Sequence, residues 1–252
     1  MTRLATISDI HGNLLALEAV LADMETQGAP DATWVLGDLA AFCPWPSETL
    51  ARLRVLPEVS FLQGNTDRYV VTGRRPPMPP IRSADDWAQA PTWLAGRDAN
   101  FRWTMAHLSY ADYEFLRDLP TRLEMDVPGY GHVVAVHATP IDDETNLRPD
   151  TPDDEVRPHL AGLDARMMLY GHTHRPMDRM VDRIRLVNDG SVGLSLDGDP
   201  RPAYALLDFE GGECKVTIRR VAYDREAVLA ELERAAHPAQ AWVGQILREA
   251  KT

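Results

Sequence analysis

The sequence has little cysteine, no long apolar run and a deficit of positive charge. Its 252 residues include two cysteines, Cys43 and Cys214, which follow no metal-binding spacing. We interpret them as reduced thiols of a cytoplasmic protein. No run of about 18 apolar residues occurs, so we expect no transmembrane helix. The N-terminus lacks a basic region followed by an apolar core, so we expect no secretory signal peptide.

The charge balance bears on the class of partner. There are 26 lysine and arginine residues against 38 aspartate and glutamate residues, which gives a formal net charge of −12. An acidic surface repels the phosphate backbone, so we do not expect nucleic acid as a partner. The sequence gives no indication of the oligomeric state.

The order of short apolar segments predicts an α/β protein with mixed sheets. Strands are expected at residues 3–7, 32–36, 59–62, 132–136, 165–170, 184–187, 203–208 and 215–221. Helices are expected at residues 13–24, 46–56, 113–119 and 225–250, the last interrupted at Pro238. Strands alternate with helices in the first half of the chain, and hairpin-like strands dominate the second.

We expect one main domain over residues 1–223, with a cap-like insertion at about 72–119 and a C-terminal helical segment, 224–252, packed on it. Residues 72–82 contain four prolines and predict a loop. Trp87, Trp93 and Trp103 follow. We expect them to form the packing core of the insertion, and the alternative is that they line a substrate groove.

Five polar segments each follow a predicted strand. In chain order they are Asp9-Ile10-His11, Gly37-Asp38, Gly64-Asn65-Thr66-Asp67, His137 and Gly171-His172-Thr173-His174. Ligand sites of α/β sheets gather outside the carboxyl ends of the strands, so the five segments should converge on one rim.

The residue types of these segments indicate a metal centre. Carboxylate and amide oxygens with imidazole nitrogens suit Mn, Fe, Zn, Co or Ni ions, and the lack of thiolates argues against a closed structural zinc site. Two such ions about 3.5–4 Å apart share a bridging carboxylate and a bridging hydroxide that attacks phosphorus. Each segment alone is ordinary, since Gly-Asp is a common turn. All five together predict two divalent ions that serve phosphate-ester hydrolysis.

The segments resemble the signature of the calcineurin-like metallophosphoesterase family, whose motifs D-x-H, G-D, G-N-x-D/E, H and G-H-x-H occur in this order. Residues 188–193, Asn-Asp-Gly-Ser-Val-Gly, resemble the segment that follows in small bacterial, phosphodiesterase-like members. The resemblance implies a four-layer αββα sandwich of two mixed sheets.

The resemblance also implies roles for individual residues. It assigns Asp9, His11 and His174 to a first metal ion and Asn65, His137 and His172 to a second. Asp38 would bridge both ions, and Asp38, Asn65 and His137 would form the catalytic group.

Three further residues are candidates for substrate binding. Arg68 and Arg175 flank ligand motifs and would grip phosphate, although a surface arginine is an equally good interpretation. His107 lies in the predicted insertion.

The sequence departs from the family pattern at two positions. Thr66 stands where many members have histidine, and we expect this change to affect protonation of the leaving group. Asp189 stands where proline is usual, and we expect this change to affect only a turn.

The expected activity is hydrolysis of phosphodiesters in a small-molecule or nucleotide substrate. One alternative is a phosphomonoesterase or protein phosphatase of the same fold. An alternative of a different class is a non-catalytic binding scaffold, but scaffold relatives tend to lose metal ligands and every ligand position is filled here. An amidohydrolase would carry His-x-His on its first strand, whereas here that motif comes late.

Overall fold

The structure, a computed structural model, describes residues 2–251, and two five-stranded sheets form its centre. The first sheet contains, in spatial order, β10 (Glu213–Arg220), β9 (Ala203–Glu210), β1 (Thr2–Ile7), β2 (Ala32–Val35) and β3 (Val59–Phe61). Strands β1, β2 and β3 are parallel, and β9 runs antiparallel to both β1 and β10. The carboxyl ends of the three parallel strands therefore lie at one edge.

The second sheet has the same mixed character. Its spatial order is β4 (Arg122–Val127), β5 (Gly131–Val136), β6 (Met167–Tyr170), β8 (Ile184–Asn188) and β7 (Met177–Val181). The central strands β5, β6 and β8 are parallel, and the outer strands β4 and β7 are antiparallel to their neighbours.

Helices cover the outer faces of both sheets. In the described residues they are α1 (Leu14–Thr26), α2 (Pro46–Arg54), α3 (Asn65–Thr72), α4 (Ala84–Ala106), α5 (Tyr110–Arg117), α6 (Asp153–Val156), a 3₁₀ turn (Arg157–Leu160), α7 (Arg225–Arg234) and α8 (Gln240–Glu249). None of these helices is long and apolar enough to cross a membrane.

Successive side chains along each strand lie on opposite faces of its sheet and so belong to different layers of the core. Leu4 and Trp34 lie in the apolar cluster between the two sheets, whereas Ala5 and Val35 lie in the cluster that joins the first sheet to α1 and α2. Successive side chains of a strand point to opposite faces, so each sheet buries both faces. Val134 packs with the 3₁₀ turn on the far side of the second sheet. The predicted four-layer sandwich of two mixed sheets is confirmed.

Several elements differ from the sequence prediction. Strands β4 and β7 were not predicted. Strand β4 alternates charged and apolar residues, so its signal was present and was missed, whereas β7 has two adjacent charged residues, Asp178 and Arg179, that interrupt such a pattern. Residues 84–106 form one long helix, although Pro91 and Gly96 lie inside it and weaken its helical pattern. Helix α3 begins at Asn65, inside a motif that the sequence indicated only as a strand end.

Trp87 and Trp93 do not form the packing core of the insertion, which corrects our expectation for these two residues. Trp87 is 68% exposed and Trp93 is 37% exposed. The buried aromatic residue of α4 is Phe101, which packs edge-on against Tyr69 of α3. The insertion therefore joins the core of the first sheet and has no separate centre.

The C-terminal helices pack beside the strand-end loops. Val228 and Leu232 of α7 and Val243 and Leu247 of α8 share an apolar cluster with Cys43 and Leu194. Cys43 follows β2, and Leu194 follows β8. The packing places the segment after residue 223 against the rim where the polar motifs lie.

Candidate metal centre

Backbone hydrogen bonds join the loops that follow the strands in two pairs. The amide of Asp9 donates to the carbonyl of Gly37 at 3.0 Å, and the amide of His11 donates to the carbonyl of Asp38 at 2.9 Å. The amide of Gly171 donates to the carbonyl of His137 at 3.0 Å. These bonds join the first motif to the second and the fourth motif to the fifth, at the carboxyl ends of the parallel neighbours β1 and β2 and of β5 and β6.

The backbone at these motifs is strained. Five of the seven proposed ligands have positive φ, namely Asp9, His11, Asp38, His172 and His174. Non-glycine residues pay about 1–3 kcal/mol each for such conformations, which cluster at functional sites. The surrounding backbone hydrogen bonds maintain these conformations, and the conformations direct the side chains toward the centre.

Two glycines of the motifs are required by close contact. A Cβ atom at Gly64 would lie 2.2 Å from Oδ1 of Asp38, and one at Gly171 would lie 2.4 Å from Oδ2 of Asp9. Both distances are far below any normal contact. Glycine at these positions lets neighbouring backbone approach the two carboxylates.

The first group of donors consists of Asp9, His11 and His174. Nε2 of His174 lies 3.2 Å from Oδ1 of Asp9, and Nε2 of His11 lies 3.9 Å from the same oxygen. The two Nε2 atoms are 3.2 Å apart. Three ligand atoms of these residues, all of them buried, lie close enough together to hold one metal ion.

The second group is built around Asn65. Its Oδ1 lies 2.9 Å from Nε2 of His137 and 3.1 Å from Nδ1 of His172. Asp38 adjoins this group, because its Oδ1 lies 3.5 Å from Nε2 of His137. The backbone amide of Thr66 donates to the same Oδ1 at 2.8 Å and fixes the carboxylate.

Each of the four histidines has one ring nitrogen bound to a backbone carbonyl. Nδ1 of His11, His137 and His174 faces the carbonyls of Ala41, Leu36 and Leu194, and Nε2 of His172 faces that of Glu144. A carbonyl only accepts, so these nitrogens carry the hydrogen. The opposite nitrogen of each ring is then the one presented to the centre, an arrangement typical of metal-ligating histidine.

The pKa values show strong coupling between carboxylates and imidazoles. Burial would raise the pKa of Asp38, but His137 and His11 outweigh it and hold that pKa well below its ordinary value. Burial opposes the charge of His137, yet Asp38 raises its pKa to about 10. Burial, with a contribution from the charge of His174, outweighs Asp38 and lowers the pKa of His11 to about 4. The buried carboxylates therefore need positive charge beside them, from protonated imidazole or from cations.

The residues present fit divalent metal ions. Oδ1 of Asp9 is buried and has no hydrogen-bond partner within residues 2–251, although it faces two imidazoles. Carboxylate oxygen, amide oxygen and imidazole nitrogen together suit first-row transition metals. A cation here would bind the unpartnered oxygen of Asp9. It would also replace the protons on the imidazoles whose pKa is raised.

The three candidate substrate-binding residues, Arg68, Arg175 and His107, differ from one another in their surroundings. Arg68 forms a bidentate pair with Asp143 and also binds Glu144, so its guanidinium is already used. Arg175 is half-buried beside His174, and within residues 2–251 no carboxylate lies within ion-pair distance of it.

The contacts of His107 do not involve the candidate metal donors. Its ring stacks on Trp103 at 3.8 Å, and its Nδ1 binds the carbonyl of Trp103. Among the described residues it contacts none of the seven donor side chains.

Asp67 is a functional residue whose role the sequence did not reveal. Its Oδ2 accepts from the amides of Asp38 and Gly64, and its Oδ1 accepts from the amide of Leu39. Burial and the nearby charge of Asp38 raise its pKa to about 7. The aspartate at the end of the third motif was the available signal. It positions Asp38.

We predict that Asp67→Asn weakens metal binding about 10–100-fold, the usual effect of losing a residue that orients a ligand. The side-chain NH2 of asparagine would face backbone N–H groups that the carboxylate now accepts from. At least one of these hydrogen bonds would be lost, so Asp38 would shift. Calorimetric titration of metal-stripped protein with Mn²⁺ measures the effect. Asp164→Asn, at an exposed carboxylate, is the matched control. Equal affinities in the two variants would show that Asp67 has no positioning role.

Asp189 bears on more than a turn, which corrects our expectation. Oγ of Ser8 lies 2.6 Å from Oδ1 of Asp189 and also 2.6 Å from Oδ2 of Asp9. A hydroxyl has one hydrogen, so it cannot donate to both carboxylates. Burial raises the pKa of Asp189 to about 7. A protonated Asp189 donates to Ser8, which then donates to Asp9.

Comparison with known proteins places this geometry in a family. The model of the calcineurin-like phosphoesterase superfamily domain matches residues 2–212. The uncharacterized protein MJ0912 of Methanocaldococcus jannaschii is 28% identical over 261 residues, which cover 97% of this chain and 96% of that protein.

Two solved structures share the fold over nearly the whole chain. A metallophosphoesterase from Sphaerobacter thermophilus is 26% identical with a TM-score of 0.76, and the match covers 99% of each chain. The hypothetical protein PH1004 from Pyrococcus horikoshii OT3 is 22% identical with a TM-score of 0.82 over 100% of each chain. The chain therefore belongs to the calcineurin-like phosphoesterase superfamily and is a metal-dependent phosphoesterase.

Proposed function

We propose that the protein hydrolyses phosphodiesters with two divalent metal ions. The position of Asp38 carries the proposal. Its Oδ2 lies 3.7 Å from Nε2 of His11, and its Oδ1 lies 3.5 Å from Nε2 of His137. One carboxylate thus faces a donor from each group, as a bridging ligand must.

Each side chain has a defined task in this proposal. Asp9, His11 and His174 hold one ion, and Asn65, His137 and His172 hold the other, with Asp38 between them. When bound, the ions supply the Lewis acidity that activates water and neutralises phosphoryl oxygens. The backbone carbonyls that bind the far nitrogen of each imidazole keep the rings oriented.

The charges around the centre favour a diester over a monoester. A phosphate monoester carries close to two negative charges at neutral pH, whereas a diester carries one. Arg68 is neutralised by Asp143 and Glu144, and the chain has a net charge of −12. Of the two arginines that flank ligand motifs, Arg68 is therefore not available to hold a dianion.

Arg175 supports the second candidate, a phosphomonoesterase or protein phosphatase. Its guanidinium follows the ligand His174 and has no carboxylate partner in the described part of the chain. An arginine without a carboxylate partner, next in sequence to a ligand, would be available to bind the extra charge of a monoester. A non-catalytic scaffold has no comparable support, because all seven donor positions carry metal-ligating side chains.

A substrate and metal panel tests the proposal. Metal-stripped protein is reloaded with Mn, Fe, Zn, Co or Ni and assayed on bis(p-nitrophenyl) phosphate, p-nitrophenyl phosphate and nucleotides. We expect two ions per chain by elemental analysis and a higher kcat/KM on the diester. One ion per chain at metal saturation contradicts the two-metal proposal. A higher kcat/KM on the monoester selects the second candidate.

A further inference from the structure

A cavity of about 350 Å³ lies between the insertion and the C-terminal helices. Its walls include Phe42 after β2, Trp93 and Phe101 of α4, and Trp242 of α8. The volume is at the lower end of the roughly 300–1,000 Å³ that small-molecule sites occupy. Three distant segments of the chain build this pocket, and the metal donors lie outside it.

Phe42 is the shared wall between this pocket and the metal centre. Its ring centroid lies 4.9 Å from that of His11 on one side and 5.1 Å from that of Trp242 on the other. Phe42 has φ of 98°, and its neighbours Ala41 and Cys43 both bind His11. The loop that orients a metal donor therefore also fixes the pocket wall.

The pocket is aromatic and carries no free charge. The guanidinium of Arg97 lies over the ring of Trp93 at 5.3 Å, binds the carbonyl of Pro76 and pairs with Asp98. Its charge is thus compensated, so the pocket itself does not suit a phosphate group. Flat aromatic walls suit a planar ring.

Asn100 is the polar group of the pocket that lacks a partner. The residue lines the cavity, is 4% exposed, and its Oδ1 has no hydrogen-bond partner within residues 2–251. A buried carboxamide without a partner is costly. Rotation of the amide by 180° presents either a donor or an acceptor. A planar ring with hydrogen-bonding edges would satisfy it, whereas an aliphatic chain would not.

We propose that this pocket binds the base of a nucleotide ester whose phosphate lies at the metal centre. The proposal rests on the proposed function and names its substrate class. The base stacks among Phe42, Trp93 and Trp242 and forms a hydrogen bond with Asn100. Contact remote from the reacting phosphorus positions the ester and raises kcat/KM.

Two diesters with one leaving group test the proposal. Thymidine 5′-(p-nitrophenyl) phosphate and methyl p-nitrophenyl phosphate differ in the nucleoside alone. We expect kcat/KM at least about tenfold higher for the thymidine ester, since stacking of one base on aromatic side chains has effects of this size. Trp242→Ala, Asn100→Leu and Gly96→Leu should remove most of this preference.

The variants probe the pocket in different ways. Trp242→Ala removes a wall and Asn100→Leu removes the polar group. Gly96→Leu fills the cavity, because Gly96 lines it and a Cβ there meets no atom within 4 Å. Trp87→Ala is the matched control, since Trp87 lies on the same helix but is exposed. It should keep the preference.

A binding measurement separates this proposal from the proposed function. Thymidine 5′-deoxy-5′-methylphosphinate has two phosphorus–carbon bonds and no ester bond to hydrolyse. It is compared with dimethylphosphinate, which carries the same single negative charge, by calorimetric titration of the metal-loaded protein. At least tenfold tighter binding of the thymidine compound, lost in Gly96→Leu, supports the pocket even if no ester is hydrolysed. Equal binding of both compounds, or equal loss of activity on both diesters in Trp242→Ala, overturns the pocket and leaves phosphodiester hydrolysis standing.

Discussion

Replacing Asp38 by asparagine should reduce kcat/KM on aryl phosphodiesters by well over 100-fold. Loss of a residue that merely orients a metal ligand costs about 10–100-fold, and in the proposed function Asp38 is itself a ligand of both ions. The variant can keep its bond from the Thr66 amide, which now reaches Oδ1 at 2.8 Å. The amide would then turn an N–H toward Nε2 of His11, where a cation is expected.

Two measurements separate this effect from misfolding. Elemental analysis should find fewer than two ions per chain in Asp38→Asn, while thermal unfolding of the metal-stripped variant should stay close to that of metal-stripped wild type. Asp126→Asn, at an exposed carboxylate of β4, is the control and should retain activity and metal. Wild-type activity in Asp38→Asn would refute the bridging role.

The rate on aryl phosphodiesters should depend steeply on the pKa of the leaving phenol. Thr66 stands where the family pattern often has histidine, and it is 4% exposed with no hydrogen-bond partner for Oγ1 in the described residues. A threonine hydroxyl does not act as an acid near neutral pH. General-acid help typically contributes about 10²–10⁴-fold, so esters of poorly acidic alcohols should react more slowly by a factor of that order.

A series of diesters with phenols of graded pKa, followed under single-turnover conditions, measures this dependence. His107→Ala should leave it unchanged, because His107 stacks on Trp103 and binds the carbonyl of that residue. A nearly flat dependence in wild type would show that another acid serves the leaving group. If the flat dependence became steep in His107→Ala, that acid would be His107.

The shared placement of the motifs could be predicted because it follows from local pattern. Short apolar strands, each ending in a polar motif, put Asp9, Asp38 and His137 at the carboxyl ends of β1, β2 and β5. Parallel strands leave those ends at one edge, whatever the details of packing. Edge strand β7 could not be identified, because Asp178 and Arg179 interrupt its alternation, whereas β4 alternates charged and apolar residues and could have been identified.

The partners of the polar side chains depended on tertiary structure. Arg68 was a candidate for phosphate binding, but Asp143, 75 residues away, neutralises it. Asp189 was expected to shape a turn, yet it reaches Ser8 across 181 residues and is linked through that hydroxyl to the candidate donor Asp9. Such contacts are set by how the two sheets stack, and no local pattern encodes that stacking.

The sequence by itself determined the family resemblance, the mixed α/β character and the seven candidate donors, because each depends on residue type and order along strands, and the resemblance then implied the two stacked sheets. Only the tertiary structure decided which ring nitrogen of each histidine faces the centre and which arginine is free. It also placed Phe42, Phe101 and Trp242 around one cavity. Their helices and loops are separated by long stretches of chain and meet through burial of apolar surface, which is not directional and leaves no motif in the sequence.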